Sequence, residues 1–273
     1  INVGLLVNQE KHLPLYYKIY PGSVKDVSVL STMVEEAALL GVPSIQLVLD
    51  RGFYSAYNLG KMQAWGQSFI LPLPRTAKTL YQQIFSERET LQDPDNLFLW
   101  KGKPLYGSKG RVDYPCLQNK ASDSNPGKEK KLTFPLHYGF YLDPERKHQE
   151  ETAFLSDLLR VEAVLQNIDW SLLSTKKQRD DTWKETTGKW ASYFTLEKTN
   201  HSFHLHRNTE AIQEATQHFG VMVLLSSTPK DVTTLLEQYK QREEVEKLFD
   251  AGKNELLFQP LRMHKSSTMK STL

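Results

Sequence analysis

One cysteine, Cys116, stands among 273 residues, which excludes an internal disulfide and a cysteine-rich zinc site. No apolar run approaches the roughly 18 residues of a membrane span, no secretory pattern is present at the start, and a cytosolic protein is expected. The G-x-x-x-x-G-K phosphate loop is missing too, which argues against an ATP-driven enzyme. Charge of one sign is also in short supply. With 34 basic and 32 acidic residues the chain carries a formal +2, so binding to a polyanion needs local patches rather than a global field.

Two such patches are present. Residues 101–131 hold eight Lys or Arg (Lys101, Lys103, Lys109, Arg111, Lys120, Lys128, Lys130, Lys131) against three acids (Asp113, Asp123, Glu129). The tail carries Arg262, His264, Lys265 and Lys270 with no acid after Glu255. The plain alternative is that lysine-rich loops are solvated, and 101–131 reads as loop, with SDSNPGKEKK as a linker.

At this length the chain can bury a substantial core, and two structural units are expected. The first 75 residues have an α/β texture. Gly4–Asn8 and Leu13–Tyr20 read as strands around a turn at Gln9–His12, and Val24–Gly41 as a helix whose apolar face includes Val29, Met33 and Leu40. Ile45–Leu49 reads as a strand, Ser55–Trp65 as a helix, and Ser68–Leu73 as a strand closed by Pro74. Further on, Ser156–Gln166 suits a helix, WASYFTLEKTNHSFHLHRN two short strands turning at Thr199–His201, and Phe219–Ser227 a strand.

Two stretches carry chemistry. From Thr228 the text TPKDVTTLLEQYKQREEVEKLFDAGKNEL predicts a helix with Thr228 as N-cap, Pro229 in its first turn, and Asp231 completing a capping-box-like pattern. Tyr239, Arg242, Glu246 and Lys253 then fall within a stripe about 60° wide and roughly 21 Å long, at about 100° and 1.5 Å per residue. Charges on such a stripe make a poor core face, though a solvated amphipathic helix, with Arg242 paired to Glu246 and Tyr239 half-buried, explains them equally. The second stretch is SIQLVLDRGFYS, where an apolar strand ends in Asp50. Ligands and catalytic groups collect at strand C-terminal ends in α/β sheets, while Asp is also an ordinary turn residue.

Together, VLDRGFYS and the downstream Y-x2-R-x3-E-x6-K pattern resemble the DDE transposases of bacterial cut-and-paste elements, in the group typified by insertion sequence four. GLLVNQEKHLPLYYKIYPGSVKDVSVLSTMVEEA is similar to that group's paired strands and first helix. The resemblance covers roughly 1–75 and 220–265.

It implies a ribonuclease H-like α/β core made of 1–75 and 216–273, interrupted by a largely β inserted subdomain at 76–215. The implied activity is cleavage and strand transfer of double-stranded DNA at transposon ends and target, by a synaptic homodimer on the bacterial chromosome. In-line displacement at phosphorus uses two divalent ions about 3.5–4 Å apart, here Mg²⁺ or Mn²⁺, hard ions that favour carboxylate oxygens. By resemblance, Asp50 and Glu246 are the second and third metal-binding acids. Arg242 and Lys253 hold DNA phosphates, and Tyr239 donates to a phosphate or stacks on a base.

The first aspartate of that pattern would lie just upstream of Ile1. Nothing in INVGLLVNQE replaces it, because Glu10 falls in a polar turn and Asp26 at a helix start. The expectation is therefore a chain truncated at both ends, without the first strand, with unpaired neighbouring edges, and unable to cut DNA alone. Gly252 also weakens the helix before Lys253. A catalytically dead DNA-binding remnant and a metal-dependent nuclease on the same fold are the alternatives.

Other constellations are weaker. His204 and His206 share one face of a strand near His201, with no Cys or carboxylate at ligand spacing. Trp100, Trp170, Trp183 and Trp190 could receive a splayed base, but tryptophans are mostly structural.

Overall fold

The computed structural model describes residues 2–8, 13–20, 45–117, 131–199 and 202–242, with the single positions 32, 35, 36, 39 and 41. Strands β1 (Asn2–Asn8) and β2 (Leu13–Tyr20) form a two-stranded antiparallel sheet, from Asn2 opposite Tyr20 to Asn8 opposite Leu13, with a bulge between Leu6 and Val7. Both strands expected there are found, and their β-branched and aromatic residues suit a pleated surface. The expected turn at 9–12 lies outside the described residues. So does most of the helix expected over 24–41, of which Thr32, Glu35, Glu36 and Leu39 are helical.

The remaining strands are β3 (Gln46–Val48), β4 (Ser68–Pro72), β5 (Leu97–Trp100), β6 (Lys103–Leu117), β7 (Lys131–Leu142), β8 (Phe194–Lys198), β9 (Phe203–Arg207) and β10 (Val221–Ser226). Six of them build one sheet in the order β3-β4-β10-β7-β6-β5, while β8 and β9 pair separately. Strands β3 and β4 run parallel, with Val48 opposite Ile70, and helix α1 (Ala56–Ala64) makes the crossover that a parallel pair requires. Strand β10 is antiparallel to β4, with Ser226 opposite Ile70. The fold is mixed α/β.

The chain divides into two compact units, one of 1–96, 107–140 and 222–273, the other of 97–106 and 141–221. In the first, the core forms on β4, whose Phe69, Ile70 and Leu71 are fully buried, with Leu59 and Met62 of α1 equally inaccessible. Helix α2 (Lys78–Phe85) adds Leu80 and Ile84. In the second, α3 (Pro144–Gln166), α4 (Lys176–Thr187), the β8–β9 hairpin and α5 (Thr209–Thr216) surround Leu158, Leu165, Trp170 and Phe194. Trp183 and Trp190 pack against that cluster, and buried Trp170 donates its indole N–H to the Leu165 carbonyl at 3.2 Å. Trp170 is thus a core residue, and Trp183 and Trp190 are partly buried at the edge of that core.

Two expectations are corrected. Residues 103–117 are not loop but the long strand β6. Its charged residues alternate with buried Val112 and Cys116, so Lys109, Arg111 and Asp113 occupy an exposed face. The passage 118–130 lies outside the described residues. Helix α3 begins at Pro144 rather than Ser156: Asp143 caps it by accepting from Arg146 N at 2.9 Å, and Pro144 fills the first turn.

Candidate active site

The apolar run of β3 ends where its hydrogen bonding ends. Buried Leu49 still donates its N–H to the Ile70 carbonyl at 2.9 Å, and Asp50 is the next residue, exposed and extended (φ −79°, ψ 158°). Asp50 Oδ1 accepts from Arg51 N at 2.8 Å, capping a 3-10 turn over Arg51–Phe53. The Phe53 carbonyl accepts from Asn58 Nδ2 at 2.8 Å. Ser55, the expected cap, accepts from Asn58 N at 3.0 Å and starts α1. Thus VLDRGFYS folds as strand end, capped turn and capped helix, which fixes the Asp50 carboxylate at the rim of the sheet.

The second element arrives from the opposite direction. After β10, Ser227 joins β4 through its N–H to Phe69 O at 3.2 Å and its Oγ, which accepts from Phe69 N at 3.0 Å. Helix α6 (Val232–Lys240) follows and buries Leu235 and Leu236. Its N-cap is Asp231, accepting from Thr234 N at 2.8 Å, not Thr228. Thr228 is engaged earlier, its N–H and carbonyl both bonded to Ser226 Oγ at 3.2 and 2.8 Å. The more polar Asp, nearer the apolar run, takes the cap.

Strand β10 runs antiparallel to β4, and therefore to β3, so α6 starts beyond the far end of the sheet and returns toward the Asp50 end. Gln241 closes α6 as C-cap, and Arg242 is again helical. There Arg242 Nη1 donates to Asp50 Oδ1 at 2.8 Å. The guanidinium lies 5.3 Å from the centre of the half-buried Tyr239 ring one turn earlier, a cation–π arrangement. Three of the five residues singled out in the sequence therefore meet: Asp50, Tyr239 and Arg242. Glu246 and Lys253, with Gly252, lie outside the described residues.

Partial burial pushes the Asp50 carboxyl up, but the Arg242 guanidinium and the Arg51 N–H outweigh it and hold the pKa below the ordinary value. Asp50 is thus an ionised, exposed carboxylate, with 69% of its side chain accessible against 26% for Arg242. Sequence reasoning missed one tie to this turn. Tyr54 donates its hydroxyl to Tyr114 Oη at 3.0 Å, joining the turn to β6, and burial, then this bond, raises its pKa.

Among the described residues, no group of three His, Cys, Asp or Glu side chains is placed to hold a metal ion. That includes the histidine pair, whose rings lie 6.5 Å apart. His206 Nε2 does approach a carboxylate, Glu197 Oε2 at 3.4 Å, brought across the hairpin by strand pairing rather than sequence spacing. Among the described residues no helix is long and apolar enough to cross a membrane.

An ionised acid at a parallel-strand end, met by a guanidinium from a returning helix, is a site suited to phosphate esters and hard cations. The family model for the transposase DDE domain matches residues 1–272, and the chain belongs to that family. No curated protein and no solved structure gives a significant match. Membership implies an enzyme of DNA cleavage and strand transfer, with DNA as its partner and divalent-metal-dependent catalysis in transposition.

Proposed function

We propose that the protein is the catalytic domain of a transposase of the insertion sequence four type, with a ribonuclease H-like core, cutting transposon ends and joining them to target DNA. The observation that carries this reading is the Asp50–Arg242 contact at 2.8 Å. It brings the strand-end acid to Arg242, which stacks on Tyr239 and in sequence stands four positions before Glu246. In this reading residues 76–215 are the insertion between the two acids, and two protomers pair two DNA ends at the bacterial chromosome.

Asp50 fits a Mg²⁺ or Mn²⁺ ligand by donor chemistry, being a hard, ionised and exposed oxygen donor. Asp50 and Glu246 would hold the two ions, which when bound activate the attacking oxygen and stabilise the leaving one. Arg242 neutralises Asp50 and is positioned to pass to a DNA phosphate, with which its planar fork pairs at two points. The Tyr239 ring keeps that fork at the rim of the site, and Lys253 adds a second phosphate contact.

The test is divalent-ion-dependent binding of duplex DNA carrying transposon ends. Ca²⁺ or Mg²⁺ should strengthen binding by the unsubstituted protein and have no effect in Asp50→Asn or Glu246→Gln. Equal ion dependence in all three proteins refutes the assignment. One feature favours a second reading, DNA binding without catalysis: the pair itself occupies Asp50 Oδ1. Cutting of end-bearing DNA with Mn²⁺, lost in Asp50→Asn, decides against the remnant. Cutting with no preference for transposon ends and no joining decides for a nuclease on the same fold.

A further inference from the structure

A cavity of about 500 Å³ opens at the other end of α6, between β6, β7 and the Pro229–Asp231 lead-in to the helix. That volume lies within the roughly 300–1,000 Å³ range of ligand sites. Its walls carry cations from two separate elements, Lys109 and Arg111 on β6 and Lys230 just before α6. Among the described residues, no ion pair engages Lys109 or Lys230. Arg111 uses Nη2 on Asp113 Oδ1 at 3.1 Å, and its other donors stay available.

The one acid in the wall, Asp231, stays ionised, because accepting from Thr234 N holds its pKa below the ordinary value, and the three cations of the wall outnumber it. Burial, and then Arg111, lower the His137 pKa, so that side chain is uncharged at neutral pH. The backdrop is built. Tyr138 lies across Gly110 so closely that a Cβ there would stand 2.2 Å from the phenol oxygen, and Tyr138 donates to Glu87 Oε1 at 2.5 Å. Lysines on an open strand are ordinarily just solvated. Here they converge with Lys230 on one concavity whose apolar wall is Leu235 and Pro229.

We propose that this cavity binds a phosphodiester of the duplex DNA backbone away from the reacting bond, gripped by Lys109, Lys230 and Arg111. The identity of the anion as DNA rests on the function proposed above. Asp231 and Arg242 are eleven positions apart on or beside α6, about 16 Å at 1.5 Å per residue. For a duplex lying along α6, at about 3.4 Å of axis per base-pair step, the cavity would hold a phosphate roughly five steps from the one at Asp50. A contact to phosphate carries no base information, so the grip serves any flanking sequence and fixes the angle at which the duplex crosses the site.

The test is fluorescence-anisotropy titration of a labelled 30-base-pair duplex of arbitrary sequence, across a salt series, with the whole chain. Each lost phosphate contact lowers the slope of log affinity against log salt by about 1. Lys109→Ala/Lys230→Ala should therefore bind more weakly on every sequence, with a slope smaller by about 2. Lys109→Arg/Lys230→Arg should keep both affinity and slope. Thermal unfolding checks that the variants are folded; Lys109 is exposed and Lys230 partly so.

If the unsubstituted protein binds duplex and the folded alanine variant keeps its slope, this inference falls and the proposed function stands. If the protein binds no duplex while inorganic phosphate perturbs NMR signals of Lys109 and Lys230, the cavity is a small-anion site. The DNA reading then falls with it.

Discussion

Arg242 reaches Asp50 across 192 positions of sequence, with Nη1 and Oδ1 2.8 Å apart. The contact follows from three directions in the sheet. Strands β3 and β4 run together, β10 runs against them, and α6 runs back. A helix returning along a strand it does not pair with places its late residues over that strand's C-terminal end. The chain thereby joins two short motifs that are separate in sequence.

Removing the guanidinium should raise the Asp50 pKa. Burial acts upward on that carboxyl and Arg242 is the foremost influence opposing it, followed by the Arg51 N–H. In Arg242→Ala the carboxyl ¹³C titration midpoint of Asp50 moves up; an unmoved midpoint means the pair is absent in solution. The sign for stability follows from the folded value being depressed. The pair's contribution is present above the unfolded pKa of about 3.9 and is lost as pH falls through the lower folded value. With Asp50 this exposed, the contribution is on the order of 0–1 kcal/mol, so the substitution should act on DNA binding far more than on unfolding.

The cap of α6 is a second measurable point. Asp231→Ala removes the acceptor for Thr234 N and should cost about 1 kcal/mol in urea unfolding. Thr228→Ala leaves the backbone bonds of residue 228 to Ser226 Oγ in place and should stay within about 0.5 kcal/mol. The reverse order of effects would restore Thr228 as the cap.

Two glycines should behave oppositely. Gly110→Ala drives a Cβ into Tyr138, an overpacking that costs typically 1–3 kcal/mol. Gly52→Ala, within the Arg51–Phe53 turn, meets nothing within 4 Å and should be neutral to within about 0.5 kcal/mol. If Gly52→Ala nonetheless weakens DNA binding at unchanged melting temperature, the space beside Asp50 is kept for the ligand rather than for packing.

The parts legible in the sequence are those with local causes. Ser55 as a cap, the strand ending at Asp50, and the hairpin of β8 and β9 each follow from a few neighbouring residues. The misreadings have physical reasons. β6 resembles loop in sequence because its exposed face is solvated and lysine-rich, though Val112 and Cys116 alternate on the buried face. The first turns of α3 carry little apolar signal, and the cue to its start is the Asp143–Pro144 pair. Neither the Arg242–Asp50 pair nor Glu197 beside His206 is visible to spacing rules, because strand pairing and helix return create them.

The reading of Asp50 and Glu246 as ligands of shared ions can be checked without catalysis. Fe²⁺ enters oxygen-rich divalent sites, and with ascorbate and peroxide it generates hydroxyl radicals that cut the polypeptide beside the bound ion. Two acids sharing ions predict two cuts in the same preparation, one near residue 50 and one near residue 246, separated by gel and located by mass spectrometry. Excess Mg²⁺ should suppress both cuts together, because it competes for one set of oxygens. Asp50→Asn should also suppress the distant cut near 246, an effect that no local damage at residue 50 produces. Arg242→Ala should strengthen both, since it frees Asp50 Oδ1 from its present partner. Cuts near residue 50 alone, unaffected by Glu246→Gln, would separate the two acids and remove the metal-sharing core of the proposed function.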